Sequence, residues 1–339
     1  MKKGSILYIG NKLARKGSTV TSIETLGRFL AEEGYAVKTA SSKRNKVLRL
    51  IDMLAAVLRY GPKSKVVLID TYSTQNFYFA VAVANLCRLL RIPYIPILRG
   101  GDLPSRLQRS ERHCRRLFHG AKINVAPSAY LLEAFKKQGY DNLVYIPNTI
   151  QLKNYPFVLR KQIHPKILWV RSFAELYNPM LALDVVKSLQ KQGCHPSLCM
   201  VGPEKDGSLQ RCKEMAEAEN VAVTFTGKLS KTKWVALSTS YDIFINTTNF
   251  DNTPVSVIEA MALGLPVIST NVGGVPYLID DGRTGILVPP NEVDPFVFAV
   301  QDLLANPKKG SQLATAARAQ VTNYDWKVVK EKWFPILDE

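Results

Sequence analysis

Residues 244–290 read FINTTNFDNTPVSVIEAMALGLPVISTNVGGVPYLIDDGRTGILVPP, and the order of elements in this stretch decides the fold. A β-rich run over 242–246 ends in polar turn residues. A helical pattern then opens at Thr253-Pro254 and carries one carboxylate, Glu259, about two turns in. Proline in a first helical turn loses nothing by lacking an N–H, while the free N–H groups beside it and the helix dipole favour phosphate. A second buried run, 265–269, leads to Gly273-Gly274, whose missing side chains let backbone approach a ligand closely. Strand, helix, strand and glycine loop in that order form a doubly wound nucleotide-binding half, whose ligands bind at the carboxyl ends of the strands.

The same alternation extends upstream. Short β-rich runs at 6–9, 36–39, 66–70, 94–98, 123–126 and 144–146 are separated by helical patterns at 22–33, 47–59, 76–90, 106–118 and 130–138. A crossing segment follows at 146–156. Strands at 167–170, 198–201, 223–225 and 243–246 then alternate with helical patterns at 180–190, 209–219 and 234–238. Such alternation predicts two mostly parallel sheets covered by helices. A chain of 339 residues is long enough for two domains of ordinary size, and an amphipathic, aromatic segment over 326–337 closes it.

The decisive stretch resembles the donor-sugar signature of family 4 glycosyltransferases, retaining enzymes of the GT-B fold. That signature has two acids separated by seven residues, then Ala-Met-Ala, Gly-x-Pro and a Gly-Gly loop. Here Asp251 and Glu259 take the acidic places, followed by Ala260-Met261-Ala262, Gly264-Leu265-Pro266 and Gly273-Gly274. The first acid is usually Glu, so Asp251 is one methylene short. The resemblance covers nearly the whole chain and is strongest over 147–290. It implies an α/β protein of two Rossmann-like, doubly wound domains facing a cleft: an acceptor domain at 1–150, a donor domain at 151–325, and a last helix, 326–339, crossing back to the first. The implied activity is transfer of a hexose-type sugar, with retention, from a nucleotide diphosphate donor (UDP- or GDP-sugar) to a glycan or polyprenol-linked acceptor of the cell surface.

Site residues follow from the chemistry and the resemblance together. A departing diphosphate needs cations, helix N-termini or backbone amides. Arg171, after the 167–170 strand, stands where the family carries a phosphate-binding arginine, and a guanidinium grips phosphate bidentately. The family's following lysine is missing from 174–179, and Lys205 is the candidate replacement. Glu259 is expected to hold ribose hydroxyls and Asp251 the hydroxyls of the sugar, against plain dipole and Asx-cap roles. Thr253, Val255 and Ser256 offer N–H groups or a hydroxyl to phosphate, and Gly227-Lys228 borders the base. Gly17-Ser18, after Lys16, lies in the loop following the first strand. Arg99 and Asp102 sit in a segment that usually reads His-Gly-x-Asp; arginine cannot serve as a base, so Arg99 binds charge or sugar oxygen. Asp70 and Tyr72, at a strand end with exposed hydroxyls around them, suit the acceptor. No D-x-D motif is present, which favours a site without metal, and no cofactor is expected.

Charge is unevenly spread. Residues 1–150 hold 25 Lys+Arg against 9 Asp+Glu (+16), leaving 20 against 19 (+1) for the rest, within a net +17. A basic first domain points to an anionic partner. Lys43, Arg44 and Lys46 precede the apolar pattern at 47–59, and Arg106, Arg109, Arg112 and Arg116 recur at helical spacing. These are expected to dock the protein on an anionic inner-leaflet surface. No nucleic-acid module pattern is present, so no specific nucleic acid is expected. With no long apolar span and no signal-peptide core, the expected location is cytoplasmic, with peripheral attachment to the inner membrane. Five cysteines without a C-x-x-C pair fit neither disulfides nor a common metal motif. Two other readings remain open: a GT-B-fold nucleotide-sugar 2-epimerase and a basic nucleic-acid binder.

Overall fold

The computed structural model describes residues 3–12 and 21–338. The chain divides into two compact units, Met1–Pro147 with Val329–Glu339, and Asn148–Val328.

The first unit runs β1 (Ser5–Ile9), α1 (Ser22–Glu32), β2 (Ala36–Ala40), α2 (Lys46–Tyr60), β3 (Val66–Thr71), α3 (Phe77–Leu89), β4 (Tyr94–Leu98), α4 (Leu103–Arg109), α5 (Glu111–Phe118), β5 (Asn124–Ala126), α6 (Ala129–Lys137) and β6 (Leu143–Tyr145). Its strands form one parallel sheet in the order β2-β1-β3-β4-β5-β6. Every residue of β3 and β4 is buried, as strands covered by helices on both faces must be. The order reverses between β1 and β3, which puts Gly10 and Asp70 at the crevice where such sheets bind ligands. Residues 329–338 pack within this unit, where Tyr35 Oη donates to Asp338 at 2.8 Å and Lys330 pairs with Glu33 at 3.1 Å.

One expected helix is two. The 106–118 pattern breaks at Ser110 (φ −136°), so α4 and α5 are separate and the four arginines share no single helix face. Arg106 is turned inward to Ser73 O at 3.1 Å and lies over the Phe77 ring. Leu103, Leu107, Cys114, Leu117 and Phe118 are buried.

The second unit runs β7 (Lys166–Val170), α7 (Pro179–Lys191), β8 (Ser197–Val201), α8 (Ser208–Ala218), β9 (Val223–Gly227), α9 (Lys231–Leu237), β10 (Ile243–Asn246), α10 (Val255–Ala262), β11 (Val267–Thr270), β12 (Ile286–Val288), α11 (Val293–Ala305) and α12 (Pro307–Val321), with α13 (Trp326–Asp338) continuing into the first unit's residues. The strand order β12-β11-β10-β7-β8-β9 is that of the dinucleotide-binding Rossmann sheet, reversing between β7 and β10. Helices α11 and α12 and strand β12 lie beyond the elements read from the sequence. Helix α11 packs Phe296, Val300 and Leu303 into one core of the sheet, and α12 contributes Ala317 and Val321 to the other.

Candidate functional site

The reversal between β7 and β10 brings together residues 80 positions apart. Arg171 follows β7 directly, and its N–H donates to Val201 O at 3.0 Å. Its guanidinium lies 4.1 Å from the Tyr177 ring centre and pairs through Nη2 with Asp251 Oδ2. Both side chains are largely buried, 17% and 14% exposed. Arg171 Nε makes no hydrogen bond among the described residues. The two residues singled out for phosphate and sugar therefore hold each other.

Glycines set both backbones. A Cβ on Gly202 would meet Arg171 O at 1.6 Å, and one on Gly274 would meet Asn252 O at 1.8 Å. Gly274 N–H donates to Asp251 O at 2.8 Å. The close approach of the Gly273-Gly274 pair within the unit is to the backbone of the loop that carries Asp251. Polar bonds fix the same loop. Trp169 Nε1 donates to Thr247 Oγ1 at 3.0 Å, Thr270 Oγ1 to Thr248 O at 2.6 Å, and Asn249 N–H to Leu176 O at 2.8 Å. Asn246, Thr247 and Thr248 are buried, so the sequon they spell is covered.

Helix α10 starts at Val255, with Pro254 as its cap, so Glu259 is its fifth residue rather than two turns in. Ser256 to Ala262 are all buried, because a helix of VSVIEAMA composition is apolar on every side. Glu259, only 1% exposed, is the one charged group in it, and a buried carboxylate must be paired. Tyr155 Oη donates to Oε1 at 2.7 Å, and Lys231 Nζ, from the first turn of α9, pairs with the same oxygen. Burial, then Glu259, raises the Tyr155 hydroxyl far above its ordinary value. Neither partner was legible in sequence. Lys231 is the cation that reaches this carboxylate, whereas Lys205 is exposed in a loop organised by Glu204, which accepts four backbone N–H groups. Ser256 Oγ is buried and makes no hydrogen bond among the described residues. Thr253 is 8% exposed, and its carbonyl accepts from Asn148 Nδ2 at 3.3 Å. Gly227 closes β9 at φ +67°, and Lys228 beside it is exposed.

In the first unit, Asp70 is buried rather than presented to solvent, as is Thr71. Asp70 Oδ1 accepts from Tyr8 Oη at 2.9 Å and from Arg99 Nε at 3.1 Å, while Oδ2 makes no hydrogen bond among the described residues and faces Gly10. Burial raises the Asp70 carboxyl, with Arg99 opposing. Arg99 is thus engaged inside the unit, because the chain places it across from a buried acid. Tyr72 is half-buried, and its hydroxyl is raised by burial and then by Asp70. Asp102 is exposed and pairs with Arg109. Gly17 and Ser18 lie outside the described residues. Among the described residues no cluster of His, Cys, Asp or Glu is placed to hold a metal ion, and the five cysteines are free.

Two Rossmann-like sheets, one in each unit, make the architecture of the GT-B fold, and the second carries a paired Arg–Asp at its switch point. Residues 154–320 match the family model described as Glycosyl transferases group 1. The chain is 29% identical over 154 residues to a sulfoquinovosyl transferase of Arabidopsis thaliana, covering 44% of this chain and 29% of that protein. It is 25% identical over 247 residues to D-inositol 3-phosphate glycosyltransferase of Paenarthrobacter aurescens, covering 68% of this chain and 60% of that protein. The chain spans less than two thirds of the length of these relatives. HepE of Anabaena, solved in complex with UDP and glucose, has a TM-score of 0.76 at 16% identity over 98% of this chain and 99% of that one. Sucrose-phosphate synthase from Thermosynechococcus elongatus has a TM-score of 0.78 at 17% identity over 98% of each chain. At such identity the likeness is one of fold. The match to the glycosyl transferases group 1 model lies in the second unit, and over the whole chain the fold is like that of these solved structures.

Proposed function

We propose that the protein is a retaining, metal-independent glycosyltransferase that moves a sugar from a UDP- or GDP-sugar to a glycan or polyprenol-linked acceptor in cell-surface polysaccharide synthesis. The observation that carries this reading is the carboxyl edge of the second sheet, where Arg171, Asp251 and the opening of α10 converge on the switch point. A donor diphosphate takes Arg171, whose Nε makes no hydrogen bond among the described residues, together with Ser256 Oγ and the N–H groups of the first turn of α10. Asp251, released from Arg171, then accepts from sugar hydroxyls. Parting a buried ion pair is costly unless both members gain new partners, and a nucleotide sugar supplies both at once. Glu259, held by Tyr155, accepts ribose hydroxyls as the exposed Lys231 swings aside. The departing phosphate serves as base on the face it leaves, which gives retention.

The acceptor side of the reading places the protein in the cytoplasm, peripheral on an anionic inner-leaflet surface. Support comes from α2, on which Val47 (66% exposed), Leu48, Ile51, Ala55 and Leu58 form one exposed stripe beside Lys43, Arg44 and Lys46. The stripe moves the docking face away from the α4 and α5 arginines.

The test is a transfer screen over UDP-, GDP- and ADP-sugars in EDTA, with the product anomer read by NMR. Retained configuration and activity in EDTA are expected. An inverted anomer, loss of activity restored by Mg²⁺ or Mn²⁺, or build-up of an epimeric nucleotide sugar without acceptor overturns the corresponding part of the proposal.

A further inference from the structure

At the amino ends of β3, β4 and β5, the first unit has an open cavity of about 560 Å³. It is lined by Lys65, Arg88, Arg91 and Lys122, together with Tyr94 and Leu337, and by no acidic side chain. At about 3.3 Å per strand residue, it lies the length of β3 away from Asp70 at the opposite edge. The four cations come from three connections, before β3, at the end of α3 and before β5. Among the described residues none of them makes an ion pair. Lys122 is held in place, its Nζ donating to Ile336 O at 3.1 Å.

A second observation is independent of charge. Helix α3 ends in a Schellman motif: Ile92 N–H donates to Cys87 O at 2.8 Å and Arg91 N–H to Arg88 O at 3.1 Å. That motif requires a left-handed residue, and Arg91 adopts it at φ +56°. Helices α1, α6, α7, α8 and α10 end with the same pair of bonds, and there the left-handed residue is Gly34, Gly139, Gly193, Asn220 or Gly264. Among the described helices only α3 puts an arginine in this conformation, which is strained for a residue with a side chain, and that arginine lines the cavity.

We propose that this cavity binds a phosphate-bearing anion. A volume within the usual range for small-molecule sites and four cations on one lining that holds no acidic side chain fit a phosphate or diphosphate group carried on a molecule of nucleotide size or on a lipid headgroup. The inference stands apart from the proposed transfer reaction.

The experiment is calorimetric titration of the full chain with inorganic pyrophosphate and, separately, with water-soluble dihexanoyl phosphatidic acid against dihexanoyl phosphatidylcholine. Saturable binding of pyrophosphate assigns a free phosphate ligand; binding of phosphatidic acid alone assigns the headgroup. Arg88→Gln and Lys122→Gln should each weaken binding about tenfold, as loss of one charge-assisted contact does. Arg91→Gly should raise Tm while weakening binding by a similar factor, a split that a purely structural arginine does not produce. No binding of either probe, binding lost in Arg171→Ala but kept in the cavity variants, or an Arg91→Gly protein that is more stable and binds as before overturns the proposal.

Discussion

Arg171 and Glu259 are proposed to act on different parts of the donor, so their removal should read differently. Glu259→Gln keeps shape but weakens the grip on the nucleoside in both ground and transition states, and KM should rise with kcat little changed. Arg171→Ala removes a charge that matters most as the diphosphate departs, and kcat should fall by 100-fold or more, roughly the 2.7–4 kcal/mol lost with one transition-state donor. Steady-state kinetics on folded variants decide this; wild-type constants for both misplace the donor site. In the first unit, Asp70→Asn leaves the Arg99 side chain, 10% exposed, without its counter-charge. Losing one partner of a buried pair costs about 3 kcal/mol, and adding Arg99→Met should restore part of it. Urea midpoints check this, and additive losses would mean that the two residues are not coupled.

Among the elements, the Gly273-Gly274 loop and α2 carry the sharpest expectations. Gly274→Ala puts a Cβ 1.8 Å from a backbone carbonyl, which no rotamer change relieves, so the segment with Asp251 must move. Stability should fall by about 2 kcal/mol and donor affinity with it, measured by thermal unfolding and by titration with UDP and GDP. Unaltered affinity would show that the loop does not position Asp251. For α2, an amphipathic helix lying in an interface draws on buried apolar area and on anionic attraction together. Val47→Ser with Ile51→Ser, or Lys43, Arg44 and Lys46 changed to Gln, should release the protein from anionic liposomes in sedimentation. Arg112→Gln with Arg116→Gln should leave it bound. Equal sedimentation with neutral vesicles, or release by the α5 changes alone, would remove α2 from this role.

For the whole molecule, the uneven charge is the dominant long-range property. With +16 over residues 1–150, the protein should bind any polyanion weakly, with affinity that falls steeply as salt rises because binding releases counterions. Duplex DNA and single-stranded RNA should compete equally well, and binding should vanish near physiological ionic strength in a mobility-shift assay. Tight, sequence-selective binding there would demand a different assignment.

The amino-acid sequence by itself determined the two parallel sheets and singled out Arg171, Asp251 and Glu259, the residues on which the proposed donor site is built. Buried strands, turn residues and glycines leave local signals a few residues long, and the donor signature is a contiguous run. Helices α11 and α12 were not read because they lie past that run and carry no motif. The break at Ser110 escaped because spacing alone joins two short helices into one. The rest depended on tertiary structure. Lys231 and Tyr155 lie 28 and 104 residues from Glu259, Asp251 lies 80 from Arg171, and Asp70 lies 29 from Arg99. Such pairings are set by strand order and register, which bring distant loops to one edge of a sheet. Arg91 likewise lies one residue past the 76–90 helical pattern, and only the hydrogen bonds that end α3 fix its left-handed backbone.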